Sequence, residues 1–511
     1  ERSVRQSRFA LGLIKVVLPL AVRWVKIGGF SLGSTTSQEP KDVPTSSTGA
    51  TQQRLLVQRQ SSSRDQRVTI KASQLNSDPN LEAHLEHADN EGVVQINDLQ
   101  RELGDLDCDE ICSKICSRMS EEMAYIPRRG LNALLHYKYA GGEYSWLDNK
   151  LNPFWAAAAE MLPDTMAPNL VTLVGLAHLF VIAALALIYD PQLRGESPSW
   201  VYLVNAYCIF MYQTFDAMDG KQARRTRSSS PLGQLFDHGC DSLGTNFIGL
   251  GLCSLMGFGP TFSTMISLAT LQIPFFLCQW EENHVHILRA QVANFGVTEG
   301  QYLSVALNII TAIFGAGFWS AKINHVLSKF VHITIPLEFL DELEVRNVSL
   351  VIAAFFPTIL AVTSIINVYK SPGNFSRALI LVIPLVLAQA YQWSIYLFSP
   401  ASVLFHAYPI PFVILLGMLH SHLSNRIIVA SVCHIEAPLF QRILYPIPFM
   451  IAMLAYADDL PKPNADLVTA IEAALLAHAV AIFLQYAHFV IWVTNAICKL
   501  LKIRCFSIVK P

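Results

Sequence analysis

The stretch DAMDGKQARRTRSSSPLGQLFDHGCD, Asp216 to Asp241, places four aspartates, three arginines and a lysine between two apolar segments. Asp216 and Asp219 are three residues apart and Asp237 and Asp241 four apart, so on helices each pair shares a face. The run WVYLVNAYCIFMYQTF leads directly into Asp216, and the next apolar run begins right after Asp241. Laid side by side and joined by the polar SSSPLG turn, these helix ends bring four carboxylates to one pocket. Carboxylates crowded into a poorly hydrated site repel one another unless cations neutralise them. Hard divalent ions with oxygen ligands do so, and a pair of them suits four carboxylates. Salt bridges to Lys221, Arg224, Arg225 and Arg227 are the simpler alternative, but they explain neither the spacing nor the glycines. Gly220 directly follows an aspartate and Gly233 precedes another by four residues. With the small Ala223 they let a bulky ligand approach the backbone, and Arg224 can fork onto a phosphate oxygen. Carboxylates, divalent metal, small residues and Arg together describe a site for a pyrophosphate-linked substrate.

Long apolar elements must position these groups. A spanning helix takes about 20 mostly apolar residues. Ten stretches qualify, starting near Leu170, Trp200, Ser242, Phe262, Tyr302, Ser349, Arg377, Val403, Leu439 and Leu467. Strands of a membrane barrel would be shorter and would alternate in polarity, so the expected fold is all-α, a polytopic bundle of about ten transmembrane helices. Ahead of them, LLHYKYAGGEYSWLDNKLNPFW mixes Trp and Tyr with Lys138 and Lys150, a composition suited to an interfacial helix within about 130–165. The acidic LEFLDELEVRN inside the loop from Ser320 to Asn347 is expected to form a second interfacial helix.

The bulk composition agrees. Of 511 residues, 52% are hydrophobic and only 15% charged, against about 25% charged in a typical soluble domain. A net charge of −2 leaves no basic excess for nucleic acid. The chain divides near residue 125 into an N-terminal extension, 1–125, and a membrane domain, 126–511. SLGSTTSQEPKDVPTSSTGATQQ and RQSSSRDQR are too polar to offset the entropy of ordering, so the extension is expected to be mostly disordered. Phe9 to Val25, apolar but broken by Lys15 and Arg23, is compatible with a targeting segment, or equally with upstream sequence that never folds. Cys208, Cys253 and Cys278 lie in apolar runs and read as buried free thiols. Cys108, Cys112 and Cys116 would line one helix face, where metal binding lacks a nearby fourth ligand.

The pattern DG, two residues, AR, eight residues, G, three residues, D, three residues, D is the signature of the CDP-alcohol phosphotransferase family. The fuller string DGKQARRTRSSSPLGQLFDHGCDSL resembles its eukaryotic choline/ethanolamine phosphotransferase branch, as do LHYKYAGGEYSWLDNKLNPFW, LPDTMAPNLVTLVG and GVTEGQYL. The resemblance runs over roughly residues 130 to 500. It implies a ten-helix membrane enzyme, usually a homodimer, of the endoplasmic reticulum or Golgi, using two Mg2+ or Mn2+ ions. Such an enzyme transfers phosphocholine or phosphoethanolamine from CDP-choline or CDP-ethanolamine to diacylglycerol within the lipid bilayer and releases CMP. Carried over position by position, Asp216, Asp219, Asp237 and Asp241 become metal ligands. Gly220, Ala223, Arg224 and Gly233 then line the cytidine diphosphate site, Asn169 of APNL faces the nucleotide, and Lys221 adds phosphate charge.

An acceptor alcohol must lose its proton, so a base is needed. The family often assigns this to the last aspartate, here Asp241. A carboxylate already committed to metal is a poor base, whereas an imidazole with a pKa near ~6.5 suits the task. His238, oriented by Glu299 of VTEG, is therefore expected to act ahead of Asp241. His420 and His422 read as helix–helix hydrogen-bonding groups. A cage for a quaternary ammonium needs aromatic rings, and Tyr212 and Trp280 are candidates. Three rival readings remain: a family member with another acceptor, such as a phosphatidylinositol synthase; a metal-coupled transporter; and a non-catalytic scaffold. The first is typically shorter, the second would carry an inverted repeat of the motif, and the third has no need for all four aspartates.

Overall fold

The computed structural model describes residues 125–137, 144–292, 295–330, 341–460 and 465–508. The expectations for the N-terminal extension, for Phe9 to Val25 and for Cys108, Cys112 and Cys116 fall outside these residues.

Two short helices, α1 (Arg128–Leu134) and α2 (Trp146–Glu160), precede four long ones: α3 (Pro168–Tyr189), α4 (Ser199–Arg225), α5 (Pro231–Leu255) and α6 (Phe262–Val285). Strands β1 (Gln291–Val292) and β2 (Phe295–Gly296) lead to α7 (Val297–Phe314), α8 (Ile323–Phe330) and α9 (Val345–Lys370). The chain closes with α10 (Phe375–Ile380), α11 (Ile383–Leu397), α12 (Ala401–Ala407), α13 (Pro409–Val432), α14 (Pro446–Asp458) and α15 (Ala465–Leu501). The all-α expectation needs one correction: β1 and β2 pair antiparallel, Gln291 with Gly296 and Val292 with Phe295. Two residues per strand are too few for a period-2 pattern to show in the sequence.

A helix lies over each of the ten apolar stretches. Six are long and apolar enough to cross a membrane: α3, α6, α9, the run α10–α11, α13 and α15. Helices α4, α5, α7 and α14 fall short of that measure. For α4 and α5 the reason is their charged or polar ends, and α14 has only 13 residues.

The starts are set by residues that tolerate missing intrahelical partners. Proline occupies the first turn of α3, α5, α13 and α14, where its lost N–H costs nothing. At α2, Ser145 and Asp148 cap each other: Asp148 N–H donates to Ser145 Oγ (3.1 Å) and Ser145 N–H to Asp148 Oδ2 (2.9 Å).

Two cores result. Leu179, Ile182, Tyr202, Ile209 and Leu250 fill one among α3, α4 and α5. Phe276, Tyr391, Leu416, Leu419 and Ile482 fill another among α6, α11, α13 and α15. Helix α5 packs on both α3 and α13, and small residues let it. A Cβ on Gly244 would lie 2.9 Å from Leu179 and from the Tyr212 hydroxyl, and one on Gly417 would lie 2.8 Å from Asn246. Such close approach is how membrane helices gain packing energy.

Where α5, α6, α11, α13 and α15 meet, polar side chains form a seam. Ser242 donates to Asn425 (3.1 Å) and Asn425 to the Tyr486 hydroxyl (3.3 Å). Asn246 donates to Ser421 (3.3 Å), Gln272 to Asn246 (2.9 Å) and Gln389 to Gln272 (3.3 Å). His420 joins Gln389 at 2.8 Å, the helix–helix bond expected of it. His422 instead packs its ring on Phe489 at 5.1 Å, and its Nδ1 has no partner. Beyond α15 the chain returns to the start of α3, where Ser507 bridges Met166 and the Phe506 ring lies 5.8 Å from Phe236.

Candidate active site

The carboxylates stand where α4 ends and α5 begins. One oxygen from each of Asp216, Asp219 and Asp237 lies within 4.8 Å of the others. Asp219 is buried and accepts a hydrogen bond from the Thr172 hydroxyl of α3. Asp241, one turn further along α5, accepts one from the Tyr212 hydroxyl of α4. Asp237 Oδ1 is buried and has no partner. The structure thus gathers three of the four expected aspartates into one group, with Asp241 held beside it by Tyr212.

No ion pair joins these aspartates to Lys221, Arg224, Arg225 or Arg227 among the described residues. Arg225 turns away, pairing with Asp164 at 3.2 Å and donating to the carbonyls of Glu160 (3.3 Å) and Leu162. It fastens the end of α4 to the α2–α3 connection. Lys221 donates to Asn152 Oδ1 of α2 (2.5 Å) and lies 5.9 Å over the Trp155 ring. The simple salt-bridge explanation of the acidic cluster therefore has no geometric support. The buried, unpartnered Asp237 oxygen among close carboxylates is instead the donor set that a divalent cation fits, several carboxylate oxygens within reach of one another.

The small residues border the same place. Arg224 is exposed, and its guanidinium would be 3.6 Å from a Cβ on Gly220. A Cβ on Gly233 would meet only Asn169 Oδ1 and Ser230 Oγ, each at 3.9 Å, and Ala223 is half-buried nearby in sequence on α4. Asn169 in turn donates to Cys505 Sγ at 3.6 Å. The first turns of α3 and α5 and the returning C-terminal segment therefore meet at Asn169, next to Gly233.

His238 is buried on α5 with Nδ1 unpartnered. Glu299 does not orient it. Its two oxygens accept the backbone N–H groups of Leu147 (3.1 Å) and Gly296 (2.7 Å), tying the start of α2 to the start of α7. Glu299 stands in the first turn of α7, where donors are unpaired; that local demand outweighs a distant histidine. Trp280 is likewise committed elsewhere, donating to the Ala378 carbonyl at 2.9 Å within the second core, so of the two candidate cage rings only Tyr212 stands at the carboxylates. Thr172 and the Tyr212–Asp241 bond escaped the sequence reading. A signal existed: Tyr212 precedes Asp216 by one turn and Thr172 follows Asn169 by one turn, each on a shared face.

The CDP-alcohol phosphatidyltransferase family profile matches residues 165–356. The chain is similar to choline/ethanolaminephosphotransferase 2 of Arabidopsis thaliana, 35% identical over 407 residues, 76% of this chain and 99% of that protein. It is 33% identical over 402 residues to an uncharacterised CDP-alcohol phosphatidyltransferase class-I family protein of Dictyostelium discoideum, covering 77% and 90% of the two chains. Cholinephosphotransferase 1 of Saccharomyces cerevisiae is 41% identical over 202 residues, 39% of this chain and 51% of that one.

Proposed function

The chain belongs to the CDP-alcohol phosphatidyltransferase family, and on that premise we propose that it transfers phosphocholine or phosphoethanolamine from the CDP ester to diacylglycerol. The diacylglycerol oxygen forms a bond to the phosphorus bearing the amino alcohol, the bond from that phosphorus to CMP breaks, and the hydroxyl proton passes to a base. The observation that carries this reading is the group of three carboxylates within 4.8 Å, one oxygen unpartnered, beside a glycine and a free-standing arginine.

Asp216, Asp219 and Asp237 would hold divalent cations, with Asp241 completing the set. Bound Mg2+ or Mn2+ would neutralise the charge that grows on the departing CMP phosphate. The chain's own residues do the rest. Thr172 and Tyr212 fix the rotamers of Asp219 and Asp241, so the ligand oxygens are aimed before substrate arrives. Gly220 and Gly233 leave room for the diphosphate against the helix backbones, and Arg224 supplies donors to its oxygens. Asn169 faces the nucleotide. Lys221, held by Asn152, contributes positive charge near the phosphates rather than a direct bond. His238, whose buried Nδ1 has no hydrogen-bond partner, is our candidate to take the alcohol proton; Asp241 is the lesser candidate because Tyr212 already occupies one of its oxygens.

The position of the site suits its two substrates. Diacylglycerol stays in the bilayer and the CDP ester in water, and helix ends are where they meet. We read α4, α5, α7 and α14, the last extended by the turn before it, as spans alongside the six more apolar ones, and retain the branch's homodimer and its residence in the endoplasmic reticulum or Golgi. Purified chain given labelled CDP-choline or CDP-ethanolamine, diacylglycerol and Mg2+ is expected to release CMP and form labelled phospholipid. Turnover only with CDP-diacylglycerol and inositol would replace this reading with a phosphatidylinositol synthase.

A further inference from the structure

Away from the carboxylates, two cavities follow one another along α6, α10 and α11. The first has a volume of about 390 Å³ and is polar: His284 and His286 at the end of α6, Arg377 of α10, and His434 and Glu436 just beyond α13 line it. The second, about 490 Å³, is walled by apolar side chains such as Leu277, Ile365, Val382 and Val386, with Gln389 the exception. Both volumes lie in the range of about 300–1,000 Å³ typical of ligand sites. Trp280 joins them. Its ring lines the apolar cavity and lies 5.3 Å from the His284 ring, and its N–H holds the Ala378 carbonyl of α10 at 2.9 Å.

Connectivity sets the depth. Helix α4 ends and α5 begins at the carboxylates, α5 crosses the bundle, and α6 returns, so the end of α6 reaches the same membrane face. The polar cavity therefore sits at headgroup level and the apolar one in the hydrocarbon. Val386 is 59% exposed and Leu379 50%, so the apolar cavity opens sideways to lipid.

The charges select the occupant. Arg377 grips Glu436 through Nε and Nη2, both at 2.7 Å, leaving Nη1 for another acceptor. The His286 and His434 rings meet edge-on at 5.7 Å, and neither makes a hydrogen bond to a described residue. Cationic and neutral donors beside one carboxylate match a phosphate linked to an ammonium. A neutral diacylglycerol would use none of these groups, and an anionic lipid would add its phosphate charge to the already balanced Arg377–Glu436 pair with no ammonium of its own to offset it. We propose that the paired cavities hold one zwitterionic glycerophospholipid, its phosphate at Arg377, His286 and His434, its ammonium at Glu436, and an acyl chain along Val386. The site is separate from the carboxylate cluster and would take a lipid of the class the proposed reaction produces, but it rests on the geometry of this region and not on that reaction.

The test uses the full purified chain in detergent with a phosphatidylethanolamine carrying a photoactivatable group on one acyl chain. Labelling is expected on residues 379–390 of α10 and α11, and unlabelled phosphatidylethanolamine should compete at least tenfold better than phosphatidylglycerol or diacylglycerol. Val386→Trp, which fills the lipid-facing groove, and Glu436→Lys, which breaks the headgroup pairing, should each reduce labelling tenfold or more. Melting temperature reports whether either variant is folded, and the competition series on the unaltered chain decides the question if neither is. Labels confined to other helices, or equal competition by diacylglycerol, would overturn the site. Equal competition by phosphatidylglycerol would overturn the zwitterionic occupant.

Discussion

Two groups of polar side chains within the helical bundle are treated differently. In the seam between α5 and α13, Ser242, Asn246, Gln272, Ser421 and Asn425 answer one another with hydrogen bonds of 2.9 to 3.3 Å. At the junction of α4 and α5, three carboxylates crowd within 4.8 Å, their neighbouring lysine and arginine are bound elsewhere or exposed, and a buried oxygen has no partner. The first arrangement is made of neutral groups that hold helices together, although Gln389 Oε1 and His422 Nδ1 in the same seam have no partner. The second gathers ionisable groups, and the crowding of carboxylates rather than of neutral amides and hydroxyls is what separates it from structural adhesive.

The contrast can be broken by substitution. Asp237→Asn removes a charged ligand oxygen from the carboxylate cluster, and turnover should fall roughly a thousandfold, the scale of losing a main partner of phosphoryl-transfer charge. The same variant should lose the Mg2+-dependent rise in melting temperature, and near-normal turnover would remove the metal assignment. Arg224→Ala should raise KM for the CDP ester by about tenfold or more, since a hydrogen bond to a charged group contributes about 1.5–3 kcal/mol, with melting temperature unchanged; an unaltered KM would take Arg224 out of the phosphate site. Tyr212→Phe leaves Asp241 without its donor. About tenfold lower turnover is expected in steady-state assays, along with tighter dependence on Mg2+ concentration, and full activity would show Asp241 to be held by other means. Asn425→Ala, in the neutral seam, should cost only about 0.6–1.7 kcal/mol, the range for interhelical hydrogen bonds in membranes. It should lower the melting temperature and leave turnover within about twofold. A loss of activity as large as that of Asp237→Asn would erase the distinction between the two regions.

The sequence carried the acidic junction because its signal is local. Residues three or four apart on a helix share a face whatever the tertiary structure, so Asp216 with Asp219 and Asp237 with Asp241 could be paired by counting. The ten apolar stretches were equally legible, each being a contiguous run. Partners supplied by backbone or by distant side chains were not. Glu299 binds N–H groups of Leu147 and Gly296, and a backbone donor has no letter in the sequence. Lys221 finds Asn152, and Asn169 finds Cys505 336 positions away. The cavities along α6 arise from gaps between helices, and spacing along one helix says nothing about the space left beside it.

The return of the chain after α15 has a temporal consequence. Ser507 pairs with Met166 and Cys505 reaches Asn169, so the segment after α15 is stitched to the start of α3. During synthesis the ribosome delivers the aspartate helices well before these joining residues. The nascent protein thus passes through the insertion of α4 to α14 with the junction between α3 and the segment after α15 still unmade.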